Sequence, residues 1–280
     1  MAQFAQLSDL SVQVINLDKA ERRLKHMQAE LSALGLCMDR CAAITPAELK
    51  SAARDFDIDL KSCQLSEAEQ ACFLSHVRAW QSAASAEGWT LILEDDVFFS
   101  ADTQCALEFA CQTSRADIVR LETYGRGRVI LSTAIVASEG HFELRQLHGR
   151  ALGAAAYLIR PDAAQRLLDQ VKTFDTSVDG LLFGGGSSTG LRLQQLMPAV
   201  AVQGDQIDLL LPTPDATWLK LDKELFTSQI GSPNRTYIPQ GNTLTKLLKS
   251  LNRRLLRRPR VRIPLSPAGP LAALERETNT

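Results

Sequence analysis

The stretch Trp89-Thr90-Leu91-Ile92-Leu93-Glu94-Asp95-Asp96 decides the reading of this chain. Its apolar run is the pattern of a short, buried strand. The run ends directly in three carboxylates. Neighbouring carboxylates at a strand end repel one another and resist burial. A divalent cation relieves that conflict, because Mg²⁺ and Mn²⁺ favour hard oxygen ligands and are commonly shared with substrate phosphates. The plainer alternative is a solvated acidic turn after an edge strand; the strand-end position favours the cation.

Outward from this stretch, strand and helix patterns alternate. Val12 to Leu17 reads as a first strand. Asp18 then offers an N-cap with Glu21 as its capping-box partner, and Leu24, Met27, Leu31 and Leu34 follow at helical spacing before Gly35. Ser66-Glu67-Ala68-Glu69 is a second capping box. It opens a helix whose buried stripe is Phe73, Val77, Trp80 and Ala84, ended by Gly88. Beyond the triplet, Asp102 to Ser114 is helical in pattern and Asp117 to Leu121 is a strand. Val129 to Val136 and His141 to Leu147 form a hairpin, and Ala154 to Ile159 is a buried strand. Pro161 starts a further helix reaching about Lys172, and Asp179 falls in a loop before the Gly184 to Ser188 stretch. Such alternation predicts an α/β fold: a mostly parallel sheet flanked by helices, with a late antiparallel hairpin. Ligands of such sheets sit at the carboxyl ends of the strands, where the triplet lies.

Composition sets the bounds. A chain of 280 residues with 45% apolar and 22% charged residues has the make-up of a soluble globular protein. The net charge of −1 argues against a general polyanion binder. No apolar run approaches the roughly 20 residues of a membrane span, and the N-terminus lacks the basic and apolar regions of a signal peptide, so a cytoplasmic location is expected. The six cysteines include no C-x-x-C pair, so reduced thiols are expected rather than a zinc site. The last part differs in character. From Lys246 to Arg262 there are eight basic residues and no acidic one, with Leu244, Leu247, Leu248, Leu251 and Leu255 at helical spacing. A basic amphipathic tail over 241–280 predicts peripheral association with the anionic inner face of the cell membrane. Packing of its leucines on the domain is the plainer alternative. Aromatic residues do not interleave with its charges, so no nucleic-acid partner is expected. After Pro264 the chain is expected to fray.

Several segments in order resemble glycosyltransferase family 25, the lipooligosaccharide galactosyltransferases and their collagen-modifying relatives. They are Val14-Ile15-Asn16-Leu17-Asp18 with Glu21-Arg22-Arg23, Leu65 to His76, Leu91 to Asp96, Asp117 to Thr123, Gly153 to Ile159, and Val178 to Phe183. The resemblance implies a GT-A-like fold over 10–240, a nucleotide-sugar donor such as UDP-galactose, a glycolipid or oligosaccharide acceptor, and Mn²⁺ or Mg²⁺. Within it Glu94 and Asp96 stand as the metal pair, Asp96 foremost. Asn16, Arg22, Arg23, His76 and Asp95 are the residues expected at the donor; for His76, a half-buried structural histidine is the alternative. Inversion at the anomeric carbon requires a base for the acceptor hydroxyl, with Asp179 first and Glu122 second. Tyr157 could stack on a sugar or base, though core packing suits its apolar strand better. The competing functions are an inactive family member kept as a binding module, and another metal–phosphate enzyme such as a nucleotidyltransferase.

Overall fold

A computed structural model of the chain describes residues 7–125, 127–184, 189–207 and 258–271. In chain order the main elements are β1 (Ser11–Asn16), α1 (Glu21–Ala33), β2 (Asp39–Ala42), α2 (Leu49–Asp55), α3 (Glu67–Ala84), β3 (Thr90–Glu94) and β4 (Val97–Phe99). There follow α4 (Thr103–Thr113), β5 (Ile118–Arg120), β6 (Glu122–Thr123), β7 (Val129–Glu139), β8 (Phe142–Leu147) and β9 (Ala156–Ile159). The series closes with α5 (Pro161–Gln170), α6 (Val178–Phe183), β10 (Leu193–Met197), β11 (Ala201–Gln203) and β12 (Arg260–Val261).

Nine strands form the main sheet in the order β12-β7-β8-β10-β5-β9-β3-β1-β2. β1 pairs parallel with β2 and β3, and β5 with β10. The hairpin strand β8 runs antiparallel to β10 and β7, and β12 runs antiparallel to β7. β9 lies antiparallel between β3 and β5. Six strands therefore share one direction, and β8, β9 and β12 oppose them. The expected α/β class and late hairpin are present. The antiparallel insertion of β9 into the centre was not anticipated, because an apolar run on its own carries no direction.

The strands sort their side chains to two faces with period two. On β3, Leu91 and Leu93 enter one core and Ile92 the other; on β9, Ala156 and Leu158 oppose Tyr157 and Ile159. The first core packs against Met27 and Leu31 of α1 and Leu107 of α4. The second packs against Phe73, Val77 and Trp80 of α3 and Leu167 of α5.

Helix starts illustrate how local chemistry is and is not decisive. Ser66 caps α3 as expected: its hydroxyl accepts from the Glu69 amide at 3.3 Å, and the Glu69 carboxylate accepts from the Ser66 amide at 2.9 Å. Asp18 does not cap α1. The chain makes a turn in which the Ala20 amide donates to Leu17 at 2.9 Å, so the helix begins at Glu21, and Asp18 pairs with Arg40 instead. Similarly, Asp179 sits in the first turn of α6 rather than in a loop.

The expected fraying after Pro264 is corrected as far as Leu271; residues 272–280 lie outside the described residues. The strap 258–271 lies along the domain: β12 pairs with β7, the Thr123 hydroxyl donates to Ile263 at 2.7 Å, and the Ala199 amide donates to Pro264 at 2.8 Å. The Ser266 hydroxyl donates to Asp102 at 2.6 Å, and Ile263 and Leu271 are buried. The leucine-rich part of the basic tail lies outside the described residues. Replacing Ile263 with Ala should cost about 2–4 kcal/mol through the cavity it leaves, lowering Tm by several degrees. An unchanged calorimetric transition would mean the strap adds nothing to the fold.

Candidate active site

Five elements meet at the carboxyl end of β3. β1 delivers Asn16, α1 delivers Arg23, β3 and the turn after it deliver Glu94, Asp95 and Asp96, β11 delivers Gln203, and α3 delivers His76 from below. Asp95 is committed to the scaffold. It accepts from Asn16 Nδ2 at 2.7 Å and from Arg23 Nη1 at 2.9 Å. Asn16 is itself fixed, donating to the Ala20 carbonyl at 3.1 Å and accepting from Arg40 Nε at 3.0 Å. Arg23 is 7% exposed and also lies 3.5 Å from Asp96. Of the two arginines expected at the donor, then, Arg23 faces the triplet, while Arg22 stands on the exposed side of α1.

Glu94 and Asp96 converge. Gln203 Nε2 donates to Glu94 at 3.3 Å and to Asp96 at 3.4 Å. Burial, and then the Asp95 charge, raise the Glu94 carboxyl; burial, and then Glu94, raise Asp96. The nearby charges of Asp179 and Asp205 push Glu94 further in that direction, against Arg23. One guanidinium does not neutralise this set. An oxygen-rich, over-negative pair of this kind fits a hard divalent cation, which would be held by Glu94 and Asp96.

His76 has no exposed surface, so it reaches the site only through Glu94, to which its Nε2 lies at 3.3 Å. Its Nδ1 is 3.0 Å from the Tyr157 hydroxyl, which accepts from Trp80 Nε1 at 2.8 Å. With one lone pair of the hydroxyl taken by Trp80, the Tyr157 O–H can donate to Nδ1, which places the ring proton on Nε2 facing Glu94. Burial lowers the His76 pKa to about 3, so the ring is neutral. Tyr157 is thus a buried support and not a stacking platform.

The two candidate bases occupy different surroundings. Asp179 is half-buried and accepts from the Gly180 amide at 2.9 Å, from the Gly153 amide at 3.3 Å, and from the Ser177 hydroxyl. Glu122 has no exposed surface. It accepts from the Ala155 amide at 2.8 Å, its Oε2 has no hydrogen-bond partner among the described residues, and burial raises its pKa to about 8. Gly153, at φ 85°, lets the backbone pass over it; a Cβ there would stand 2.7 Å from Glu122 Oε2. Of the two, Asp179 has surface with which to meet an acceptor.

The sequence reading missed Gln203 and Asp205. Their segment carries no motif, and only the small sheet β4-β11-β6 brings them to the triplet.

Comparison with known proteins identifies the family. Residues 10–182 match the model of glycosyltransferase family 25 (LPS biosynthesis protein). The chain is 30% identical to the lipooligosaccharide biosynthesis protein lic2B of Haemophilus influenzae, over 69% of this chain and 76% of that one. It is 30% identical to the lacto-N-neotetraose biosynthesis glycosyltransferase LgtB of Neisseria gonorrhoeae, over 68% and 73% respectively. With the match covering more than half of the chain, including β1, α1, α3, β3 and the acidic triplet, the chain belongs to glycosyltransferase family 25 and is a glycosyltransferase.

Proposed function

We propose that the chain is an inverting, metal-dependent transferase with a GT-A-like fold. It moves galactose from UDP-galactose to a lipooligosaccharide or related cell-surface glycan. The observation that carries this reading is the convergence of Glu94 and Asp96 on one amide, beside a buried arginine. The family resemblance supports the donor. The names of the Haemophilus and Neisseria relatives support the acceptor class.

In this reading Glu94 and Asp96 hold Mn²⁺ or Mg²⁺, which supplies charge stabilisation for the departing diphosphate. Asp95 keeps Arg23 and Asn16 in register with that pair. Arg23 adds a fixed positive charge next to the leaving phosphates. Asp179, oriented by the Ser177 hydroxyl and two backbone amides, takes the proton of the acceptor hydroxyl as the new glycosidic bond forms. The basic segment from Lys246 to Arg262 holds the enzyme at the anionic inner face of the membrane, where a glycolipid acceptor is found. Among the described residues no helix is long and apolar enough to cross a membrane.

Three outcomes are expected. Asp96→Asn should abolish Mn²⁺-dependent transfer without lowering Tm in chelator, because it removes a ligand and a buried repulsion together; full activity would sink the metal assignment. Asp179→Asn should lower kcat by roughly 10² or more with donor affinity nearly unchanged. If donor affinity collapses while kcat persists, Asp179 is a binding residue.

The third concerns pH. Glu94, Asp96 and Glu122 all have folded-state pKa values raised by burial, Glu122 to about 8 from an ordinary 4.5. The native state therefore binds more protons than the unfolded chain between those limits, and stability is lost as pH rises. Buried His76, with its pKa lowered to about 3, works the other way below its ordinary 6.5, so in chelator Tm should fall from about pH 6.5 to about pH 8. Saturating Mn²⁺ should recover part of it at the higher pH. A chelated protein that becomes more stable over this window would show that the carboxylates are not clustered and buried together.

A further inference from the structure

Beneath the proposed phosphate-metal pair lies a second donor set, of softer character. Cys72 and His76 are one turn apart on α3, and their ligand atoms and a Glu94 carboxylate oxygen all lie within 4.8 Å of one another. His76 Nε2 and Glu94 Oε1 are 3.3 Å apart. In a tetrahedral zinc site an N–O edge is about 3.4 Å and an S–N edge about 3.6 Å, given the metal–ligand bond lengths. One edge is therefore already at coordination distance, and the thiol has about 1 Å to close. The ring is held from behind by the Tyr157 hydroxyl, itself fixed by Trp80; zinc-bound histidines ordinarily have such a partner on the other nitrogen. Cys72 and Glu94 are half-buried and His76 is buried, so the set keeps some exposed surface through which an ion can enter. Burial, and then the charges of Glu94, Asp179, Asp96 and Glu69, raise the Cys72 thiol, so it carries its proton until a cation displaces it.

We propose that Cys72, His76 and Glu94 form a site for a thiolate-seeking divalent cation, Zn²⁺ foremost. Occupancy draws Glu94 away from Asp96 and so inhibits the transferase. On binding, the Cys72 sulfur forms a bond to the metal and releases its proton to solvent. His76 changes tautomer: Nε2 loses its proton as the metal–nitrogen bond forms, Nδ1 gains one, and the Tyr157 O–H turns away so that its oxygen accepts from both Nδ1 and Trp80. No oxidant or reductant is involved. Manganese, a harder ion, is not drawn to the thiol, so the two sites discriminate by ligand softness and share Glu94. Binding at the lower site stands apart from the transferase reading; the inhibition rests on it.

The test uses the full chain, reduced and stripped of metal. Titration with Co²⁺ should produce the near-ultraviolet thiolate-to-cobalt absorption, which Zn²⁺ should abolish because it binds more tightly. The band should persist in Asp96→Asn and vanish in Cys72→Ser. No band in the unsubstituted chain, or an equal band in Cys72→Ser, overturns the site. In Mn²⁺-supported turnover, Zn²⁺ should inhibit the unsubstituted enzyme at concentrations at least about tenfold below those needed for Cys72→Ser. Equal sensitivity overturns the inhibitory link. Absence of turnover with the cobalt band intact would instead remove the transferase reading and leave the metal site.

Discussion

The ion pair between Arg23 and the turn Asp95-Asp96 is the constraint on which the active end of the sheet depends. Three consecutive carboxylates at a strand end oppose one another's ionisation, and burial adds to the cost for the outer two. Arg23 from α1 and Asn16 from β1 tie the middle one down, and Arg23 relieves the outer two only in part. The parallel register of β1 on β3, in which Ile15 stands opposite Glu94, puts Asn16 at the height of the triplet. The docking of α1 on the sheet through Met27 and Leu31 puts Arg23 over it. Packing in the first core is thus coupled directly to the electrostatics of the site.

Chemically equivalent acids acquire different duties from their surroundings. Asp95 has both oxygens occupied by buried donors and serves as framework. Glu94 and Asp96 share one weak amide donor, which leaves oxygen lone pairs for a ligand. Asp179 is half-buried and hydrogen-bonded by the start of α6. Glu122 is enclosed next to Arg120, 3.8 Å away, with one oxygen unanswered. This last arrangement resembles other cases where a carboxyl group is held neutral by its site.

Much of this was legible in the amino-acid sequence, because the decisive signals are local. The Ser66 capping box, the apolar run into the triplet and the Pro161 helix start each state their chemistry within a few residues. What was not legible depends on contacts between distant segments. Asp18 has every local mark of a cap, yet Arg40 from β2 takes its carboxylate and a turn displaces the helix start. His76 lies off the apolar stripe of α3 and so reads as half-exposed, but β9 brings Tyr157 against it and buries it fully. Gln203 carries no signal at all; a polar residue at a strand end becomes meaningful only when β11 pairs with β4 and arrives beside Asp96. Cys72 and His76 likewise read as separate residues until Glu94 is placed between them and the cleft.

The strap 258–271 has a consequence for biosynthesis. It supplies the last strand at one edge of the main sheet and seals Ala199 and Ser100 near the other, smaller sheet. A nascent chain can pair β1, β2 and β3 early, since they lie within the first 94 residues. Among the described residues, the partner of the β7 edge at Val129 and Ile130 is complete only when residue 261 has been made. Translation proceeds at about 5–20 residues per second, so that edge waits for several seconds after β7 is complete. During that interval the end of the edge at Val129 and Ile130 has backbone groups that await β12, a short surface for a chaperone to protect.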